Sequence, residues 1–264
     1  MHFNLLIFPT LMLTFVVFWM GDLLYRRSFG FWKIEILLSG LVLAIPCVMM
    51  SLYYFHVLPE TKWFYEFRAF PASEFSAAGA GFLAGVLRAC IPGKRLYTST
   101  AILTLLGFGM IIPYLKPVMG PIPESAFKQK WSQDVCMQST SSTCGPASAA
   151  TLLKFYGVDL TEEQIARECF SYIGGTENWY LARAFRRRGF DVHYRIATGL
   201  PKDLRLPAIA GVNVGCGHFI PILSETATTY VTGDPLAGRK EYKKADISKN
   251  YRFTGFFMEI SKRN

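Results

Sequence analysis

The stretch QSTSSTCGPASAA, residues 138–150, places a cysteine directly before a Gly-Pro pair and a run of small residues. Thr143 can cap a helix that starts near Cys144, with Pro146 in the first turn, where its missing N–H is not needed. Gly157 predicts the end of that helix. We therefore expect Cys144 at a helix N-terminus, where the dipole and free N–H groups favour the thiolate, the nucleophilic form of cysteine.

An isolated cysteine is more often a buried and inert thiol, and the remaining cysteines receive that interpretation. They are Cys47, Cys90, Cys136, Cys169 and Cys216. If the C-terminal part lies outside the cytoplasm, two of the last three could pair, but spacing alone does not give the connectivity.

Charge and hydropathy divide the chain into two parts. The 264 residues are 51% hydrophobic and 18% charged, and only nine of the 28 Lys and Arg residues lie in residues 1–116. We expect a transmembrane domain over residues 1–116 and a Pro-rich linker over 117–130. Residues 131–264 are then long enough for one domain with its own core.

The net charge of +9 could indicate a nucleic-acid partner. The basic residues of the second part, such as Arg186 to Arg188 and Lys243, are interspersed with acidic residues and form no long tract. We interpret them as a solvated face and expect no nucleic-acid binding.

Apolar runs of about the length that a bilayer requires predict membrane helices over residues 3–20, 34–55 and 97–115. The run 75–91 is weaker, because it is short and carries Arg88; it is a fourth span or an interfacial helix. A removable signal peptide is the alternative for the first run. No Lys or Arg precedes that run and no small-residue cleavage site follows it, which favours a retained helix.

Basic residues in the short loops predict the orientation in the bilayer. Four spans place both basic loops in the cytoplasm and the C-terminal domain outside it, whereas three spans place that domain inside. The first basic loop holds Arg26, Arg27 and Lys33, the second holds Arg88, Lys94 and Arg95, and the middle loop holds Lys62 and Arg68.

A thiolate nucleophile needs a base, and two of the four histidines lie near the ends of membrane segments. His193 lies in an alternating pattern typical of a strand and is expected to have a partner on a sheet face. His218 opens a strand that can form a hairpin with residues 229–235. A hairpin centred near residue 226 places His218 opposite Asp234, whose carboxylate could orient the imidazole.

Pro221 and Asp234 each allow another interpretation, and Gln138 is a further candidate site residue. Pro221 is unusual within a strand and favours an edge strand or a bulge, and Asp234 in Gly-Asp-Pro could be a simple turn residue. Gln138, six residues before Cys144, could donate its amide to a developing oxyanion together with the Cys144 N–H.

Five sequence blocks follow one another along residues 132–260: QSTSSTCGPA, GTENWYLARAFRRRGF, LPAIAGVNVGCGHFIPIL, TGDPLAGRKEY and FTGFFMEI. In this order they resemble the C39 family of papain-like cysteine peptidases, which remove leader peptides after double-glycine sites. The resemblance implies a papain-like α+β fold, with the cysteine on a helical part and the histidine and aspartate on an antiparallel sheet. Cys144, His218, Asp234 and Gln138 occupy the matching positions.

The resemblance implies a membrane-anchored cysteine endopeptidase of a bacterial inner or cytoplasmic membrane that requires no metal or cofactor. Its partners would be an exported or membrane-associated peptide substrate and the lipid bilayer, with an unidentified export partner. In exporters of the family the peptidase precedes the transmembrane and ATPase parts, whereas here it follows the spans and no phosphate-binding loop is present. A double-glycine substrate therefore does not transfer directly, and Gly174-Gly175 is interpreted as a loop.

Two other functions remain open at this stage. The same residues could transfer the acyl group to an amine, as in a transpeptidase or a transglutaminase-like enzyme. A membrane-anchored peptide-binding module without turnover is a different class, which the presence of Cys144 disfavours.

Overall fold

The computed structural model describes residues 3–59, 61–91, 97, 107 and 111–263. Most of the expected span over 97–115, with the loop residues Lys94 and Arg95, lies outside the described residues. The chain forms two compact units. The described part of the helical unit comprises residues 3–59, 71–91, 97, 107 and 111–115, and that of the C-terminal unit comprises 61–70 and 116–263.

The α-helices whose bounds are described are α1 (Ile7–Arg27), α2 (Phe31–Tyr54), α3 (Lys62–Ala69), α4 (Gly79–Cys90), α5 (Cys144–Phe155), α6 (Glu162–Glu168), α7 (Asn178–Arg186) and α8 (Ile247–Asn250). Residues 111–119 are also helical. Short 3-10 helices occur at Ser73–Ala78 and Glu124–Ala126. The strands are β1 (Lys130–Ser132), β2 (Val135–Met137), β3 (Phe190–Ile196), β4 (Ala208–Asn213), β5 (Gly217–Glu225), β6 (Thr229–Asp234), β7 (Gly238–Lys243) and β8 (Arg252–Lys262).

In the helical unit, α1 and α2 are the two described helices long and apolar enough to cross a membrane. Their 21 and 24 residues correspond to about 30 and 36 Å at ~1.5 Å per residue, which matches a hydrocarbon layer of ~30 Å. Large apolar side chains such as Phe15, Val42 and Ile45 are more than half exposed along both helices. A soluble core helix would bury such side chains instead.

Small residues let α4 pack closely against α1 and α2. A Cβ at Gly85 would lie 1.9 Å from the Phe18 carbonyl oxygen of α1, and one at Gly81 would lie 2.5 Å from that of Thr14. Both contacts advance in the same direction along the two helices, so α4 runs parallel to α1. Glycine at these positions permits a backbone approach that any side chain would prevent.

Arg88, the charged residue of the expected weak span, has a partner within this unit. Its Nη1 lies 3.4 Å from Oδ1 of Asp22 on α1, and its guanidinium lies 4.8 Å from the Trp19 ring centroid. Asp22 also binds Arg26 one turn later, with Nε and Oδ2 2.7 Å apart. The basic ends of α1 and α4 therefore lie side by side.

The C-terminal unit is built on a six-stranded antiparallel sheet in the order β3-β8-β4-β5-β6-β7, with the β1–β2 hairpin separate from it. Ala208, Ala210, Ile220, Ile222 and Phe257 from its central strands are fully buried in one core cluster. Helix α5 packs against β5 and contacts α6 and α7. This mixture of helices and an antiparallel sheet confirms the predicted α+β fold.

Pro221 lies in a central strand, not at an edge, since β5 pairs with both β4 and β6. Pro221 pairs with Ile209 of β4, and the β5–β6 register shifts between Ile222 and Ser224. The expected edge strand is therefore wrong, whereas a ladder irregularity does occur next to the proline, which cannot donate a backbone hydrogen bond.

Candidate active site

Helix α5 begins at Cys144 and ends at Phe155, as the sequence predicts. Its end is closed by Gly157 at φ +82, whose N–H donates to the Lys154 carbonyl. A positive φ of this kind favours glycine after a helix. The start of the helix differs from expectation, however, because the Thr143 side chain makes no cap hydrogen bond.

The Thr143 hydroxyl instead stabilises the turn that precedes the helix. It accepts from the Thr140 N–H over 3.0 Å and donates to the Thr140 carbonyl over 3.1 Å. The first N–H groups of α5 therefore receive no hydrogen bond from this hydroxyl. They keep their positive potential next to Cys144.

Three of the predicted site residues meet at one place. His218 Nε2 lies 3.0 Å from Asp234 Oδ1, and the Cys144 side chain is close enough to the His218 ring to raise the pKa of the imidazole. Because Nε2 faces the carboxylate, Nδ1 is the ring nitrogen available to the thiol. Cys144, His218 and Asp234 are 8%, 6% and 5% exposed, so the arrangement is largely shielded from water.

The contact between His218 and Asp234 arises in a register that differs from the expected one. Glu225 pairs with Tyr230 and Ile222 pairs with Thr232, which centres the hairpin near residue 227. Extending this register places Asp234 opposite residue 220, so His218 is its diagonal neighbour on the same face. The two side chains are long enough to meet along that diagonal.

The electrostatics of the pair favour a charged imidazole. Burial lowers the pKa of His218, but the hydrogen bond and the charge of Asp234, together with the neighbouring Cys144 side chain, outweigh it, so the pKa is raised from 6.5 to about 9. Burial raises the pKa of Asp234, yet the hydrogen bonds from His218, the Leu236 N–H and the Tyr251 hydroxyl hold it below its usual value. An imidazolium beside a carboxylate is thus the favoured state at neutral pH.

Tyr251 is a site residue that the sequence did not indicate. Its hydroxyl donates to Asp234 Oδ2 over 2.9 Å, while the Leu236 N–H donates to Oδ1 over 2.8 Å. Tyr251 follows α8 directly and is 5% exposed. Its sequence context is that of an ordinary core aromatic residue, and the contact spans 17 residues, so no local pattern could have revealed it.

Gln138 follows β2 and lies beside the same cluster. Its N–H donates to the Pro235 carbonyl over 3.1 Å, next to Asp234. Its side-chain Nε2 donates to the Thr140 carbonyl over 2.8 Å, within the turn that leads to Cys144. An amide nitrogen carries two N–H groups, and this bond uses one of them.

His193 lies away from this cluster. It occupies β3, is exposed, and pairs in register with Glu259 of β8. All six cysteines lie in the described part of the chain and are free thiols. Where the structure describes the chain, no group of three or more His, Cys, Asp or Glu side chains could hold a metal ion.

Comparison with known protein families assigns the C-terminal part. A model of the Peptidase C39 family matches residues 124–264. The chain belongs to this family. The predicted relationship is thus confirmed, and the family identifies residues 124–264 as a cysteine peptidase domain.

The curated relatives align with about half of the chain, and the chain spans only part of their length. The probable functional amyloid protease FapD of Pseudomonas aeruginosa is 28% identical over 48% of the chain and 60% of the relative. An uncharacterized protein of Methanothermobacter thermautotrophicus is 30% identical over 48% of the chain and 88% of the relative. The Lactococcin-G-processing and transport ATP-binding protein LagD of Lactococcus lactis is 25% identical, with only 17% of its length covered.

Among solved structures, the C39 domain is similar to a double glycine motif protease from an AMS/PCAT transporter in complex with the leader peptide. That match has a TM-score of 0.43, 23% identity, and coverage of 51% of this chain and 93% of the neighbour. The peptidase domain of Streptococcus ComA, a bifunctional ABC transporter, matches with a TM-score of 0.42, 20% identity, and coverage of 48% and 96%.

Proposed function

We propose that this protein is a membrane-anchored cysteine endopeptidase that cleaves a peptide or protein substrate with Cys144 as nucleophile, His218 as acid and base, and Asp234 as the residue that orients the imidazole. The observation that carries the proposal is the position of His218, whose ring lies beside the Cys144 side chain and whose Nε2 lies 3.0 Å from Asp234 Oδ1. Such a chain of contacts is what activates a thiol and holds the imidazole in one orientation.

The reaction follows from these positions. His218 Nδ1 holds the proton of the Cys144 thiol, and the thiolate attacks the substrate carbonyl carbon to form a tetrahedral oxyanion. Gln138 and the Cys144 N–H donate to that oxyanion. The imidazolium then protonates the leaving amine as the C–N bond breaks. Finally His218 takes a proton from water, which attacks the thioester and releases the acid and the free thiol.

Membrane anchoring is supported by the helical unit. The apolar side chains of α1 and α2 are largely exposed along lengths that match a bilayer. The basic residues Arg26, Arg27 and Arg88 share one end of this unit, since Arg26 and Arg88 both bind Asp22. Positive residues mark the cytoplasmic end of membrane helices. We infer that this end faces the cytoplasm, and the four-span topology predicted from the loop charges then places the peptidase domain outside it.

An exported or membrane-associated polypeptide is the substrate class that fits this location. The names of two relatives, a Lactococcin-G-processing and transport protein and a probable functional amyloid protease, support a polypeptide substrate of that kind. Cleavage after small residues is the corresponding specificity.

The test compares membranes that contain the intact protein with membranes that contain Cys144→Ala. At least one polypeptide should gain mass in the variant by an amount that corresponds to an uncleaved segment. Iodoacetamide should abolish cleavage by the wild type, and Cys216→Ala, which removes the exposed cysteine, should cleave normally. Identical polypeptide masses in both membranes would contradict a peptidase, and products that carry an added amine would identify an acyl transferase.

A further inference from the structure

Helix α3 lies between two membrane helices in the sequence, yet it belongs to the C-terminal unit in the structure. Its residues Phe64, Tyr65, Arg68 and Ala69 are at most 2% exposed, whereas Trp63 is 56% exposed. The buried residues recur at the spacing of one helix face, so α3 is amphipathic and its apolar face is covered.

The covering partners are aromatic residues of the peptidase domain. Phe64 packs edge-on against Trp179 of α7, with ring centroids 6.1 Å apart. Tyr65 packs against Tyr194 of β3 at 5.5 Å and against Phe256 of β8 at 5.6 Å. These are the separations of favourable aromatic pairs. The helix therefore completes the packing of one end of the sheet and of α7.

Arg68 is held in the same interface. Its guanidinium lies 5.0 Å from the Trp179 ring centroid, and its backbone carbonyl accepts from Arg183 Nη2 over 2.6 Å. Burial of an arginine is costly unless its charge is compensated locally, and a tryptophan face supplies part of that compensation. A surface helix that touched the domain only by chance would not bury such a side chain.

Glu66 adds a polar connection at the edge of the interface. Its Oε2 accepts from Arg186 Nη2 over 2.8 Å, and its Oε1 accepts from the Tyr194 N–H over 3.2 Å. The carboxylate thus bridges α7 and β3. A carboxylate that bonds both a guanidinium and a backbone N–H fixes the position of the helix along the sheet.

We propose that α3 is a structural part of the peptidase domain, so the connection between α2 and α4 and the peptidase domain lie on the same face of the membrane. This inference rests on the proposed membrane anchoring, and it adds which parts of the chain share one side of the membrane. Residues 62–69 and 116–263 cannot pack into one unit if a bilayer separates them.

An even number of membrane crossings between residues 70 and 116 follows from this contact. Helix α4 runs parallel to α1 and its Arg88 end adjoins the Arg26 end of α1. If α1 crosses the membrane, the Arg88 end of α4 therefore faces the same side as the Arg26 end of α1.

Single reporter cysteines in the full chain test this arrangement. The background is Cys144→Ala with Cys216→Ser, which removes the reactive and the exposed thiol and makes the assay independent of catalysis. The reporters are Trp63→Cys on α3, Lys240→Cys on β7, and Phe29→Cys in the connection between α1 and α2. The probe is a membrane-impermeant maleimide, applied to sealed cells and then to lysed cells.

Trp63→Cys and Lys240→Cys should be labelled to within about two-fold of each other in sealed cells, and Phe29→Cys should show the opposite accessibility. If the cysteines at positions 63 and 240 were labelled from opposite sides of the membrane, the proposal would be overturned. If both were labelled from the same side but a chain with Cys144 intact cleaved no substrate, the proposed function would be refuted and the placement of α3 would stand.

A charge exchange tests the contact itself. Glu66→Arg and Arg186→Glu should each lower the thermal unfolding temperature of the full chain, and the double variant should recover most of the loss. Lys62→Glu on the exposed face of α3 is the matched control and should unfold like the wild type. Additive losses in the double variant would show that the two residues do not interact and would contradict the docking of α3.

Discussion

Tyr251 donates its hydroxyl proton to Asp234 Oδ2 over 2.9 Å, and the other oxygen of that carboxylate lies 3.0 Å from His218 Nε2. The tyrosine thus holds the carboxylate from the side that the histidine does not use. All three side chains are buried, so water cannot readily replace a lost bond. Tyr251 therefore helps to orient the His218 imidazole through Asp234.

Tyr251→Phe should therefore reduce kcat about ten-fold, since a hydrogen bond to a charged group contributes roughly 1.5–3 kcal/mol and only part of that reaches the transition state. KM should change little, because the substrate site is unaltered. Steady-state kinetics at several pH values measure the effect. Tyr230→Phe, in the same core cluster, is the control; an equal loss in both variants would indicate a general packing defect instead.

The raised pKa of His218 predicts the alkaline limb of activity. The favourable interaction of the imidazolium is fully present below pH 6.5 and is lost as the pH rises through about 9, so kcat/KM should fall with a midpoint near pH 9. The same loss should lower the free energy of unfolding over that pH range.

Asp234→Asn removes the carboxylate charge that raises this pKa. The alkaline midpoint should move down by about one pH unit, and the rate at the optimum should also fall, because the imidazole is less well oriented. The pH dependence of kcat/KM for both proteins checks this. An unchanged midpoint in the variant would show that Asp234 does not set the protonation of His218.

Local patterns predicted the helix that carries Cys144, its end at Gly157 and the hairpin that carries His218, because each depends on residues close in sequence. Long-range packing decided the rest. The sequence does not show that a bulge near Pro221 shifts the hairpin, or that the Thr143 hydroxyl turns back to Thr140. The docking of α3 depends on Trp179, more than a hundred residues away, which no local pattern encodes.

Comparing the activity of His218→Ala with that of His193→Ala tests which of the two histidines is the catalytic base. His218→Ala should lower the rate of acylation by on the order of 10³-fold or more, since the thiol then lacks a partner to take its proton. His193 is exposed on β3, and its replacement should leave turnover nearly unchanged. Single-turnover acylation by an activated thioester reports both. Retained acylation in His218→Ala would refute the assignment.

Gln138→Glu keeps the size of the side chain and removes the amide donor. If Gln138 stabilises the oxyanion, kcat should fall on the order of 10²-fold with KM little altered, because the bond forms only in the transition state. A rise in KM with unchanged kcat would instead assign Gln138 to substrate binding. Thermal unfolding near the wild-type temperature would exclude a simple folding defect, since the Thr140 contact is also lost.

We expect the peptidase domain to prefer small residues before the scissile bond. In the proposed function, the peptidase domain acts on exported polypeptides, and the resemblance to double-glycine peptidases favours small residues before the scissile bond without fixing the substrate itself. Substrate residues next to Cys144 should therefore be small. A peptide library incubated with the wild type, with Cys144→Ala as the blank, should be cut after Gly-Gly or Gly-Ala at least ten-fold faster than after Leu or Lys. Preferential cleavage after large or charged residues would contradict this specificity.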